Sequence, residues 1–189
     1  MNSLKKYYNN IIKYNFITKF NYKKITNIPE VTKIIINFNC KNFELKHLAT
    51  SLLALQLITK KKGTLTTAKK PNIILKIKKG NPVGCKVNLK KKDMYSFLLI
   101  FITKIVPFLK DVIQKKIKKN NVITYTITNT LIFKELEKNY LMFNNLKNIN
   151  INIVTTAKTK QELFFFFQTI KNKTFKIINY CKCNSIGRV

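Results

Sequence analysis

Between Val83 and Lys90 the residues alternate strictly. Val83, Cys85, Val87 and Leu89 are interleaved with Gly84, Lys86, Asn88 and Lys90. A period of two fits a β-strand, whose successive side chains point to opposite faces. A strand that is apolar on one face and basic on the other belongs in a sheet covered on one side only. Residues 148–154 alternate as strictly, with Ile149, Ile151 and Ile153 on one face. After Pro29, the β-branched run "EVTKIIINFNC" is another strand, with Lys33 and Asn37 on one side and Ile34, Ile36 and Phe38 on the other. Ile73, Leu75 and Ile77, alternating with Ile74, Lys76 and Lys78, predict a strand turned into the next by "KGNP" at 79–82. A lysine cluster at 115–119 precedes a further strand, "NVITYTIT".

Helical spacing separates these runs. Leu4, Tyr7, Tyr8, Ile11, Ile12 and Phe16 mark a helix over 3–20, and Leu45, Leu48, Leu52 and Leu55 one over 43–58 that "KKKG" at 60–63 stops. Met94, Phe97, Phe101, Ile102 and Ile105 carry a third up to Pro107. Thr159 with Glu162 three residues on forms a capping-box signature ahead of "LFFFFQTI", a last helix docking on the sheet. Helices and strands mix without regular βαβ alternation. The expected fold is therefore α+β, an antiparallel or mixed sheet with helices packed on one face. A single domain is expected over 1–176, followed by a short polar tail over 177–189.

Such a chain must bury its apolar faces, and with 46% hydrophobic residues in 189 it has the material for a core. Its charge then becomes the constraint. Against 37 basic side chains stand 7 acidic ones, a formal net charge of +30, which would self-repel unless a polyanion surrounded it. Nucleic acid is the partner this implies. Of the basic residues 36 are Lys and only Arg188 is Arg, alongside 24 Asn and 27 Ile. Those three types have codons rich in A and T, which points to an AT-rich genome such as an organellar one; an AT-rich bacterium or a plastid fits the same usage. The Arg-free N-terminus reads as the first helix of the mature protein and not as a presequence. No segment reaches the ~18 uninterrupted apolar residues of a membrane span.

Catalytic chemistry finds little material. Of the seven acids, only one pair lies close in sequence, Glu135 and Glu137. Glu44, His47 and Ser51 fall on neighbouring turns of one helix and read as a solvated face. Neither a P-loop nor a dinucleotide fingerprint is present. Cys40, Cys85, Cys181 and Cys183 read as thiols, and one His distant from the C-terminal pair does not complete a zinc site. Neither a cofactor nor a metal is expected. The four consecutive phenylalanines at 164–167 read as core before they read as a base-stacking platform.

Basic sites, by contrast, are arranged. Lys33 and Asn37 on one strand, and Lys86, Asn88 and Lys90 on another, line one face if those strands pair in register. Lysines attract phosphate without regard to sequence, while Asn can donate to and accept from sugar and base edges, so this face suits RNA. Lys76, Lys78 and Lys79 lead into Gly80, Asn81, Pro82 and Gly84, a basic finger whose backbone could approach a phosphate chain at the two glycines. A free-standing basic DNA- or RNA-binding protein, a nucleoid or RNA-maturation factor, is the rival class.

Gly80, Pro82, Gly84, Lys86 and Val87, then Val106-Pro107, then Thr155-Thr156-Ala157-Lys158-Thr159 occur in an order that resembles the large-subunit ribosomal protein family numbered five, the binders of 5S ribosomal RNA. The similarity runs from "KKYYNNIIKYNF" to "TTAKTKQE", nearly the whole chain. It implies an α+β fold that grips 5S rRNA, where the ribosome has one, and the large rRNA in the central protuberance, among other proteins there. It also implies that Asn37, Lys61 and Asn88 stand where the family meets RNA, with Lys33, Thr66, Lys69 and Lys70 nearby. The loop from Lys76 to Gly84 would reach P-site tRNA, and the protein would meet a small-subunit protein across an intersubunit bridge. The family's Gly-rich turn after the strand at 34–38 is here "NCKNFELK", its Ser-Gly-Gln is Thr59, Lys60 and Lys61, and its strand-face Thr is Asn88. A mitochondrial ribosome, with an organelle-encoded gene, is the location this reading implies.

Overall fold

Six strands form one sheet: β1 (Val31–Asn39), β2 (Thr64–Thr67), β3 (Pro82–Leu89), β4 (Ile113–Lys119), β5 (Val122–Asn129) and β6 (Lys147–Thr155). Their order is β2-β3-β1-β6-β5-β4, and every neighbouring pair is antiparallel. The computed structural model describes residues 3–39, 45–74, 77–109, 113–119 and 121–170, without the side chains of 3, 108, 109, 113–119 and 147. Cys40, Glu44, Leu75, Lys76, Asp111, Cys181, Cys183 and the tail over 177–189 lie outside the described residues.

Register decides which face is buried, because a slip of one residue would turn every side chain over. Ile36 sits opposite Val87 on one side and Ile151 on the other, and Ile151 opposite Tyr125. Ile34, Ile36, Phe38, Cys85, Val87, Leu89, Ile123, Ile127, Ile149, Ile151 and Ile153 thereby share one face, each at most 3% exposed. Each such side chain contributes about 1.5–3 kcal/mol on burial.

The helices cover that face. Helix α1 joins Ser3–Tyr7, a π-turn at Tyr8–Ile12, and Lys13–Lys19. Its core residues Leu4, Tyr8, Ile12 and Phe16 recur every fourth position. Spacing of four overruns an α-helical turn by about 40° per step, and the wider π-turn takes up the drift. Helix α2 is Leu45–Thr59, and α3 runs from Lys91–Ile100 through a second π-turn at Phe101–Ile105 into a 3-10 turn at Val106–Leu109. Short helices α4 (Lys134–Glu137) and α5 (Tyr140–Phe143) pack beside α2, and α6 spans 160–170. The capping box forms as predicted: Glu162 N donates to Thr159 Oγ1 at 3.2 Å, and the Thr159 and Lys158 amides donate to Glu162 Oε2 at 3.3 and 2.9 Å. Phe166 and Phe167 are buried, while Phe165 meets Phe16 edge-on at 5.1 Å, and only Phe164 is largely exposed.

Three expectations are corrected. Among the described residues of 73–78 none lies in a strand of the sheet: Asn72 and Ile77 form an isolated bridge, and Ile73 and Ile74 beyond it are 93% and 92% exposed. The sheet partner of β3 is instead Thr64–Thr67, because alternation identifies a strand only where a sheet edge receives it. The lysine cluster at 115–119 precedes the strand β5 as expected, and itself forms the strand β4 that pairs with it. Leu45 is 80% exposed, since α2 only begins there and turns its stripe inward from Leu48. Ser51 is fully buried and not on a solvated face; it donates to Leu48 O at 2.8 Å and accepts from Cys85 Sγ at 3.1 Å.

Burial also shifts phenols. Desolvation raises Tyr8 and Tyr95 well above the usual phenol range, aided at both by the Glu30 carboxylate, which accepts from Tyr95 Oη at 2.8 Å. Burial alone pushes Tyr125 up to about 12 from 10.0. A raised phenol contributes stability that is whole below the unfolded value and is lost as pH climbs through the folded one. The wild type is therefore expected to lose stability relative to Tyr125→Phe between pH 10 and 12, by on the order of 2 kcal/mol in chemical denaturation. Parallel alkaline curves for the two proteins would contradict this.

Candidate nucleic-acid interface

The opposite face of the sheet is polar. Asn37 lies directly opposite Lys86, and Ile35 opposite Asn88, so Lys33, Asn37, Lys86 and Asn88 share that face. Lys86 and Asn88 are exposed, and Lys33 and Asn37 half-buried. Lys90 follows directly after β3 as the exposed N-cap of α3. Thr66 pairs with Gly84 at the β2 side of the same face.

Gly84 does not stand on the finger. It is buried inside β3, where a Cβ would collide with the Phe38 carbonyl oxygen and crowd Thr66 Oγ1. The close backbone approach it permits here is that of the adjoining strands. Gly80 does fit the turn: its φ is 92°, nothing lies within 4 Å of where a Cβ would be, and its amide donates to Ala68 O at 3.0 Å. Asn81 and Pro82 follow, half-buried, at the root of β3. Lys69, Lys70, Lys78 and Lys79 are exposed along the arm that carries Ile73 and Ile74 outward, and Lys76 falls outside the described residues.

Lys61 is placed differently from the other lysines. Its Nζ pairs with Asp93 Oδ2 at 2.6 Å, both side chains about half exposed. Water screens such a pair, so a phosphate can compete for the lysine. Next to it, Lys60 has a φ of 55°, the left-handed region that glycine enters without steric cost. At the start of α3 stand Lys90, Lys91 and Lys92 with Asp93 as the single acid, and no side chain caps the helix. Cations gathered at the positive end of a helix repel its dipole, and an anion relieves them.

One part of this face carried no signal strong enough to be singled out in the sequence. Asn150 and Asn152 of β6 and Thr124 and Thr126 of β5 continue it, with Asn150 opposite both Asn37 and Thr126, and Asn152 opposite Ile35 and Thr124. Their trace was the polar half of the alternation at 148–154, read there only for its isoleucines.

Nothing else on the described surface gathers a reactive set. The cleft between Lys5, Glu30, Thr32, Lys91 and Tyr95 commits its carboxylate to Tyr95. No group of three or more His, Cys, Asp or Glu among the described residues could hold a metal ion, and no described helix is long and apolar enough to cross a membrane.

Comparison with known proteins identifies the family. A family model for the C-terminus of the ribosomal protein family numbered five matches residues 82–176. Large ribosomal subunit protein uL5m of Reclinomonas americana is 41% identical over 181 residues, covering 92% of this chain and 100% of that protein.

Proposed function

Because the chain belongs to the ribosomal uL5 family, with a structural and non-enzymatic role in the large ribosomal subunit, we propose that its open sheet face holds ribosomal RNA in the central protuberance. The observation that carries this is the β1–β3 register, which sets Asn37 against Lys86 and gathers Lys33 and Asn88 beside them. Lysines neutralise phosphates there, and amides meet sugar and base edges. The uncapped, lysine-laden start of α3 supports the same reading, since a phosphate chain would remove its repulsion. The RNA is the large-subunit rRNA, with 5S rRNA where the ribosome contains one.

The projecting arm takes P-site tRNA. Its support is shape and charge: a narrow ribbon with Lys69, Lys70, Lys78 and Lys79 along it and the left-handed turn at Gly80. A different edge takes protein. Glu135 and Glu137 are two of only seven acids, and beside them Tyr140, Leu141 and Met142 are 50%, 96% and 52% exposed. Acid and apolar surface together suit a basic protein rather than RNA, as an intersubunit bridge to the small subunit or a contact with a central-protuberance neighbour requires. The working location is the mitochondrial ribosome, the setting of the Reclinomonas americana relative.

Sedimentation tests the reading. Tagged protein in a lysate of its own organelle is expected to travel with large subunits and to stay there through a moderate-salt wash. Recovery with DNA, or with free RNA after that wash, would replace it with a free-standing nucleic-acid-binding protein.

A further inference from the structure

Beyond β1 the polar face changes character. Across β6 and β5 it carries Asn150, Asn152, Thr124 and Thr126, none of them charged, where the β1–β3 half carries Lys33 and Lys86. The side chains form an ordered row. Thr124 Oγ1 donates to Asn152 Oδ1 at 2.7 Å, Asn152 Nδ2 to Asn37 Oδ1 at 3.3 Å, and Asn37 Nδ2 to Asn39 Oδ1 at 3.0 Å. Alongside, Thr126 Oγ1 donates to Asn150 Oδ1 at 2.9 Å.

These bonds run in one direction. Both threonine protons go to amide carbonyls, so each Asn of β6 turns its Nδ2 away from β5, and the Asn37 carboxamide is held in one of its two flips. The Asn150 Nδ2 donates to nothing among the described residues, and its residue is half-buried, not enclosed. Lysines cannot tell ribose from deoxyribose, because they see phosphate. A pre-oriented amide can. The 2′-hydroxyl both donates and accepts, and an RNA helix displays it across a wide, shallow groove that a flat sheet face can meet.

We propose that this uncharged strip is the part of the surface that selects RNA over DNA, with Asn150 contacting the ribose edge and Asn152 acting as a positioning residue that fixes the Asn37 amide. The inference rests on the RNA-binding reading above, and adds to it a division of labour between the charged β1–β3 part of the face and the neutral strip on β6 and β5, which the register position of Lys116 on β4 borders opposite Thr124.

The test compares in vitro transcribed large-subunit rRNA fragments with DNA of identical sequence, on the full chain, across a range of salt. Asn152→Ala alone would orphan the hydroxyl of Thr124, which is 3% exposed, and could fail to fold. The variant is therefore Thr124→Val with Asn152→Val, which removes both partners and leaves strand-favouring β-branched residues at both positions. Asn150→Ala is the second variant, and melting temperatures verify both folds. Each is expected to lower RNA affinity by roughly tenfold, with DNA affinity and the slope of log K against log salt unchanged. In an Asn37→Ala background the Val pair is expected to cost nothing further, as a positioning role demands. Unchanged RNA affinity in folded variants, a parallel loss on RNA and DNA, or full additivity with Asn37→Ala would overturn the inference while leaving RNA binding intact. A wild type that binds RNA and DNA equally would also overturn it. A wild type that binds neither would remove the underlying reading as well.

Discussion

Lys33, Lys86 and Lys90 changed together to Glu are expected to weaken rRNA binding by at least about a hundredfold at 0.1 M salt, and to flatten its salt dependence by two to three in the log–log slope. Each phosphate neutralised contributes about 0.7 to 0.9 to that slope, so three lost contacts set the size of the change. The fold should survive, because Lys86 and Lys90 are exposed and Lys33 is only half-buried. The control reverses the same number of charges in the helical layer, at Lys46, Lys134 and Lys138, all exposed and all away from the polar face. That triple is expected to cost only the smaller, long-range part of the attraction. Equal losses in the two triples would mean that total charge, and not the sheet face, governs binding.

Val87→Asp is expected to leave no folded protein at neutral pH. Val87 is 3% exposed, opposite Ile36 and beneath α2. Losing its burial removes about 1.5–3 kcal/mol. A carboxylate in that place must stay charged without a partner or take up a proton against its solution preference, which adds about 4–7 kcal/mol for a shift of three to five pKa units. The sum rivals the whole stability of an ordinary domain, about 5–15 kcal/mol. One residue on, Asn88→Asp should change stability by no more than about 0.5 kcal/mol, since its side chain is exposed on the other face. Circular dichroism and thermal melting distinguish the two, and a stable Val87→Asp protein would show the register to be one residue out.

These two neighbours illustrate what could be read early. Alternation at 83–90 and 148–154 gave the buried and open sides of both strands, since a half-covered sheet imposes that pattern wherever it lies. Thr159 and Glu162 marked the start of α6 because a capping box is local chemistry. Residues 73–78 misled for the complementary reason: Ile73, Leu75 and Ile77 alternate in sequence with Ile74, Lys76 and Lys78 as a strand would, yet no sheet edge reaches Ile73 and Ile74. Gly84 shows the same limit, as glycine permits close approach without saying what approaches; at its Cβ position stands the Phe38 carbonyl.

From its sequence alone this chain was bound to be a basic protein with a one-sided sheet, because residue periodicity and charge are properties of the chain before it folds. Its family kinship was carried there too, in the order of its motifs. Which strands adjoin was settled by tertiary structure. Only the antiparallel pairing of β1 with both β3 and β6 brings Asn37 between Lys86 and Asn150, residues separated by 49 and 113 positions. Hydrogen-bond direction along Thr124, Asn152 and Asn37 exists only once three strands from distant parts of the chain lie side by side.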